Sequence, residues 1–250
     1  MLDNDSAPSL SHRQKQIVQL IQQSDYCSIE HLAQQFDVTP QTIRRDINSL
    51  CDFGLARRHH GGVGAPATLS NQSYRLRQET HREEKLAIAQ QVTPLIPNGS
   101  TIFLGIGSTI ALIAETLYNH TELRVVTNNF EAAHILSQYS HIETWVPGGM
   151  IRPKDQDIVG ESISQFFGQF YADIGIIGCA SITTITNPTN NQTEEFAMEH
   201  EPREAIVSQA ILNNAHQKWL VASNEKWQRH TNAKVTALNT FHRIFKSGKS

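Results

Sequence analysis

The chain has 250 residues, 39% hydrophobic and 18% charged, with a formal charge of −3. That is enough for one large domain, or a small and a medium one, each with its own core. The mildly acidic balance excludes a broadly basic coat for nucleic acid, so any such contact must be local, and no apolar run approaches the roughly 20 residues of a membrane span.

The N-terminal stretch MLDNDSAPSL is acidic and polar with no apolar h-region, which predicts no signal peptide and a cytoplasmic protein. Cys27, Cys51 and Cys179 are isolated and odd in number, as suits reduced thiols. Cys27, Cys51, His59 and His60 lack the paired spacing of a zinc site, so no metal and no cofactor is expected.

Ser11 and Gln14 make a capping box for a first helix carrying Ile17, Leu20 and Ile21. Ser28 caps a second, in which Ile29, Leu32, Ala33 and Phe36 follow helical spacing. Only Asp37 and Val38 remain before Thr39, an N-cap ahead of Pro40, and Ile43, Ile47 and Leu50 then line one apolar stripe. Helices joined by so short a turn cross steeply, which is helix-turn-helix geometry. Gly54 suits the left-handed end of the third helix, and LARRHHGGV predicts a two-stranded wing with a basic tip.

Off the stripe of the third helix lie Gln41, Thr42, Arg44, Arg45 and Asn48. A helix N-terminus offers unpaired N–H groups and partial positive charge to phosphate oxygens. An arginine fork can address guanine in the major groove, and glutamine can address adenine. Arg57 and Arg58, with His59 and His60 beside them, would add phosphate or minor-groove contacts that set register. Ser28 and Thr39, at the two helix starts, complete the candidate DNA contacts. The bland alternative is a solvated face whose arginines pair with Asp46 or Asp52. The short turn, the capped third helix and the arginine-rich wing together favour double-stranded operator DNA, bound by residues 1–63.

Residues 64–80, GAPATLSNQSYRLRQET, are small, polar and aperiodic, and read as a linker. From 81 to 250 the pattern is α/β. A helix over 82–93 leads to the strand TIFLGI, followed by a helix over 110–118, strand LRVVT, a helix over 130–138 and strand IETWVP. A helix over 162–170, strand DIGIIG, a helix over 199–214 and strand KWLVA complete the series. Near-continuous apolar strands separated by helices predict a parallel sheet covered on both faces. The polar stretch 181–195 reads as a surface loop.

Ligands of open α/β sheets bind at the carboxyl edge. Gly107, Ser108 and Thr109 follow the first strand there, Asn128 follows the second, Gly148 and Gly149 with Arg152 follow the third, and Lys226 lies beyond KWLVA. Backbone N–H groups, hydroxyls and cations converging on one edge suit a phosphate.

The stretches VTPQTIRRDINSL and GLARRHHGGV resemble the signature of the DeoR family of bacterial transcriptional repressors. The similarity continues through EEKLAIAQQVTPLIPNGSTIFLGIGSTIALIAETL, LRVVTNN and PGGMIRPKDQDIVGE, spans about residues 12 to 235, and lies nearest the glycerol-metabolism branch. It implies an N-terminal winged helix-turn-helix, a C-terminal parallel-sheet sensor resembling ribose-5-phosphate isomerase, and a homodimer or homotetramer. It also implies release from the operator by a phosphorylated effector, glycerol 3-phosphate or another sugar phosphate. The edge residues above match the family's effector pocket, and Glu199 keeps a carboxylate where the family carries one. Gly105 and Ser223 replace two usual aspartates, which removes acceptors for a polyol and favours a more anionic or less hydroxylated ligand. Two other readings are a constitutive regulator whose sensor serves assembly, and a sugar-phosphate isomerase-like enzyme. No catalytic residues are assigned, because a general base with a clear partner is missing.

Overall fold

A computed structural model describes residues 10–24, 26–53, 55–59, 61–64, 81–153, 155–186 and 191–248. Cα proximity divides the chain into two compact units, Met1–Gln72 and Ser73–Ser250. Gly54, His60, the side chain of His59 and the linker stretch 65–80 lie outside the described residues.

The first unit holds helices α1 (His12–Ser24), α2 (Ile29–Gln35) and α3 (Pro40–Asp52). Each begins where local chemistry dictates. Gln14 N donates to Ser11 Oγ at 3.2 Å and Ser11 N to Gln14 Oε1 at 2.9 Å, a reciprocal box. His31 N donates to Ser28 Oγ at 3.1 Å, and Thr42 N to Thr39 Oγ1 at 3.3 Å. Asp37 takes φ 49° in the turn between α2 and α3, a left-handed conformation that aspartate tolerates better than most residues. Ile17, Ile21, Leu32, Ile43, Ile47 and Leu50 form the shared core.

The wing has three strands, not the expected two. β1 (Tyr26–Ser28), β2 (Arg57–His59) and β3 (Gly62–Gly64) pair antiparallel in the order β1-β3-β2. A Cβ on Gly62 would lie 2.4 Å from Cys27 O, so only glycine lets β3 approach β1. That long-range pairing leaves no periodic signal in three residues, which is why only the capping role of Ser28 is legible in YCS. Replacing Thr39 by alanine removes the α3 cap and should destabilise this unit by about 1 kcal/mol. Faster amide exchange at Ile43 and Ile47 in the intact chain would show it; unchanged exchange would mean the cap contributes nothing.

The second unit is built on a six-stranded parallel sheet. Its strands are β4 (Thr101–Leu104), β5 (Arg124–Thr127), β6 (Glu143–Trp145), β9 (Ala172–Ile177), β12 (Ala215–Ala222) and β14 (Arg243–Lys246), in the order β14-β12-β9-β4-β5-β6. Ile102, Leu104, Val125, Ile176 and Val221 face α4 (Arg82–Val92), α5 (Ser108–Thr116) and α6 (Phe130–Leu136). Phe103, Val126, Ile177 and Leu220 face α7 (Ile163–Phe167) and α8 (Pro202–Asn213). Alternation within each strand therefore feeds two cores, as a doubly covered sheet requires.

Three expectations are corrected here. The stretch 181–195 is no simple loop: β10 (Ser181–Thr186) and β11 (Thr193–Glu199) pair antiparallel, and β11 also pairs β13 (Ala233–Ala237). Threonine-rich strands look polar, yet β-branching suits a pleat with one covered face. Glu199 consequently ends a strand, and the helix begins only at Pro202. The strand series does not close at KWLVA either, since β14 extends the sheet beside β12. Beyond these corrections, β7 (Met150–Arg152) and β8 (Asp157–Val159) form a separate hairpin after β6. Among the described residues no helix is long and apolar enough to cross a membrane.

Candidate nucleic-acid interface and effector crevice

On α3, burial sorts the residues into two faces. Ile43, Ile47 and Leu50 are buried, whereas Gln41, Arg44, Arg45 and Asn48 are exposed at i, i+3, i+4 and i+7. Thr42 is half-buried, and its hydroxyl lies 3.0 Å from that of Thr39. Thr39 and Ser28 spend their side-chain oxygens on caps, so their first role is to start helices. Asp46 does not hold either helix arginine. It is buried and accepts from Arg13 Nε at 2.6 Å, which ties α3 to α1. Neither Arg44 nor Arg45 has an ion pair among the described residues, so both guanidiniums stay with the exposed row. Arg57 and Arg58 are exposed on β2 of the wing.

In the other unit the chain leaves β4 for β5 and β6 on one side, and leaves β9 for β12 and β14 on the other. With this strand order the loops after β4 and β9 run to opposite sides, the switch point at which open α/β sheets hold ligands in a crevice at their carboxyl edge. Gly107 opens α5 with φ 115°, a conformation natural to glycine alone, and a Cβ there would meet nothing within 4 Å. No side chain caps this helix start. Ser108 is buried and Thr109 half-buried beside it.

The loop is braced from β5. Asn129 Nδ2 donates to Gly107 O at 3.0 Å and Gly105 O at 3.3 Å, while its Oδ1 caps α6 through Ala132 N at 3.1 Å. Thr127 Oγ1 donates to Leu104 O at 2.7 Å. Asn129, rather than Asn128, is thus the residue that shapes this loop. Its position as the N-cap of α6 was the available signal. Asn128 instead donates from Nδ2 to Ile158 O at 3.2 Å.

Beyond β9, Gly178 sits between the two flanking strand ends: its Cβ position lies 3.5 Å from Ile106 O and 4.0 Å from Val221 O. The ends of β4 and β12 are then two strand spacings apart, about 10 Å. Lys226 is half-buried in the turn Asn224–Gln228 that follows β12. Lys226, Glu199 and Arg229 all act on the Cys179 thiol, so they gather at this edge. Burial dominates there and pushes the thiol up to about 12, which leaves Cys179 without the reactivity of a thiolate. Glu199 is buried, with Ser208 Oγ 3.5 Å from its Oε1. Ser223 is buried and donates to Glu225 Oε1 at 3.3 Å. Gly105 is packed tightly, with a Cβ position 3.3 Å from Ile177 Cγ2.

Arg152 departs from the expected role of countercharge. Its Nε donates to Asp157 Oδ1 at 2.8 Å, and Nη2 donates to Asp157 Oδ2 at 2.5 Å and Glu204 Oε1 at 2.6 Å. Asp155 and Glu201 lie 3.6 and 3.4 Å from Nη1. Surrounded by carboxylates, this guanidinium is committed to joining the β7–β8 hairpin to α8. Gly149 is likewise structural, because a Cβ would fall 2.6 Å from Val159 O, whereas Gly148 meets nothing within 4 Å.

Residues 13–68 match the DeoR-like helix-turn-helix domain, and residues 80–247 match the DeoR C-terminal sensor domain. The chain is similar to the glycerol-3-phosphate regulon repressor of Haemophilus influenzae, 37% identical over 94% of this chain and 88% of that protein. It is also similar to the HTH-type transcriptional repressor CsqR of Escherichia coli, 37% identical over 89% of this chain and 81% of that one. Among solved structures, ribose 5-phosphate isomerase A of Methanocaldococcus jannaschii is 19% identical, covering 59% of this chain and 55% of that chain with a TM-score of 0.40.

Proposed function

The chain belongs to the DeoR family of transcriptional repressors, and from that premise we propose that it reads operator DNA with the exposed row of α3 and releases it when a phosphorylated sugar or polyol enters the crevice. The observation that carries the reading is the row Gln41, Arg44, Arg45 and Asn48, four polar side chains on one helix face whose opposite stripe is fully buried. Such a face fits a major groove, with Arg44 or Arg45 addressing guanine and Gln41 adenine. Arg57 and Arg58 on the wing, with His59 and His60 next to them in sequence, supply contacts to phosphates. Two-fold operators require at least a dimer of such units.

For the effector, Gly107, Ser108 and Thr109 offer an uncapped helix start and hydroxyls to a phosphate, and Lys226 supplies the positive charge. With Arg152 occupied by Asp157 and Glu204, Lys226 carries more of that burden. This reading assigns the protein no catalytic role, in keeping with relatives that are named transcriptional repressors.

The reading is tested on a sequence selected from random DNA by the full-length protein. Arg44→Ala or Arg45→Ala, whichever removes a bidentate base contact, should lose about 1–3 kcal/mol on the selected site and relax its sequence preference. Arg58→Ala should weaken binding to selected and random DNA alike and flatten the salt dependence. Equal losses on both DNAs for all three variants would overturn the division of roles, and failure to select any site would overturn the operator reading itself.

A further inference from the structure

Next to the crevice, but lined by none of Gly107, Ser108, Thr109 or Lys226, lies a cavity of about 380 Å³ between the β8–α7 segment and α8. That volume falls within the range of small-molecule sites. Its walls are largely aliphatic, with Ile106, Ile158 and Ile163 on one side and Val207 and Ile211 of α8 on the other. Asn128 also lines it. This side chain is 3% exposed, its Nδ2 is spent on Ile158 O, and its Oδ1 has no hydrogen-bond partner among the described residues. A buried amide oxygen left without a donor is rare in a native structure. Among the described lining atoms Asn128 Oδ1 is the buried one left unsatisfied, and it calls for a hydrogen-bond donor.

Charge decides what kind of donor. Asp157, Glu161 and Glu204 line the cavity against Arg203, and Arg152 behind them already serves Asp157 and Glu204. Among the described lining residues a phosphate or carboxylate brought here would face three carboxylates and a single cation, Arg203, which already pairs with Glu201. A compact apolar body carrying a hydroxyl suits the walls and the orphan oxygen together. We propose that this cavity is a second ligand site of the sensor, distinct from the phosphate crevice, and that it takes an uncharged, mainly apolar alcohol whose hydroxyl donates to Asn128 Oδ1. Because Asn128 and Asn129 are consecutive and Asn129 holds the Gly105–Gly107 loop, a ligand on Asn128 stiffens the segment that shapes the effector crevice.

Calorimetric titration of the full-length protein with cyclohexylmethanol, its methyl ether and cyclohexanecarboxylate tests the site. The alcohol should bind about 2- to 12-fold more tightly than the ether, the range expected for one ordinary hydrogen bond, and the carboxylate should not bind. Asn128→Ala should bring the alcohol-to-ether ratio to about one. Val207→Phe fills the space and should abolish binding of both while leaving the response to glycerol 3-phosphate intact. The proposal is overturned if the alcohol does not bind, if the ratio survives Asn128→Ala, or if binding survives Val207→Phe. A protein that binds the alcohol but ignores glycerol 3-phosphate would sink the phosphate reading and leave this site standing.

Discussion

Arg152→Met should lower the stability of the protein by about 3–5 kcal/mol, the cost of leaving buried carboxylates without their cation. Arg152 is 8% exposed, Asp157 1% and Glu204 5%, and the guanidinium contacts both carboxylates through the hydrogen bonds described above. Burial alone would pull the Arg152 pKa down, but hydrogen bonds to Asp157 and Glu204 outweigh it and hold it above the ordinary value. Burial also raises Glu204, even against the lowering effect of Arg152. Methionine fills much of the same volume, so the loss reports charge rather than a cavity.

The pH dependence of the variant follows from the direction of that shift. A carboxyl whose folded pKa is raised binds protons more readily in the native state than in the unfolded chain. Stability should then recover as pH falls through the raised folded value toward the unfolded one, and the recovery should be larger in Arg152→Met than in the parent. Thermal unfolding of both proteins at neutral and mildly acidic pH measures it. An unchanged midpoint at neutral pH would mean that the ion cluster is dispensable.

Lys226→Ala and Ser108→Ala should each weaken effector binding, the lysine variant on the order of tenfold or more, because a charge-assisted hydrogen bond contributes about 1.5–3 kcal/mol. Affinity for DNA without effector should not change, since both residues lie in the sensor unit and outside the α3 row. The loss should be visible with glycerol 3-phosphate and with ethyl phosphate. Ethyl phosphate should bind the parent protein at least as well as glycerol 3-phosphate does, because Gly105 offers no side-chain acceptor and Ser223 turns its hydroxyl to Glu225. Calorimetry with both esters decides the matter. Tight binding of glycerol 3-phosphate with weak binding of ethyl phosphate would show that other groups receive the hydroxyls, water among them. Unaltered binding in both variants would place the phosphate elsewhere.

Features that a few consecutive residues can encode were legible in the order of amino acids. The capping pairs Ser11–Gln14, Ser28–His31 and Thr39–Thr42 appear where the side chains call for them, because a cap closes over three residues. The stripe of Ile43, Ile47 and Leu50 separated the buried from the exposed face of α3 before any neighbour was known. Apolar strands and helices in alternation were enough for a parallel sheet, and the glycine at 107 was enough to place a turn at its edge. Tertiary structure alone decided what depends on partners far along the chain. β1 exists because Tyr26–Ser28 meets Gly62–Gly64, and β14 because it meets β12. Asp46 belongs to Arg13, 33 positions away, and Glu204 to Arg152, 52 positions away. Charge partners are chosen by which elements cross in space, and hydrogen-bond geometry then rewards only the pair within reach, so adjacency in sequence could not assign them.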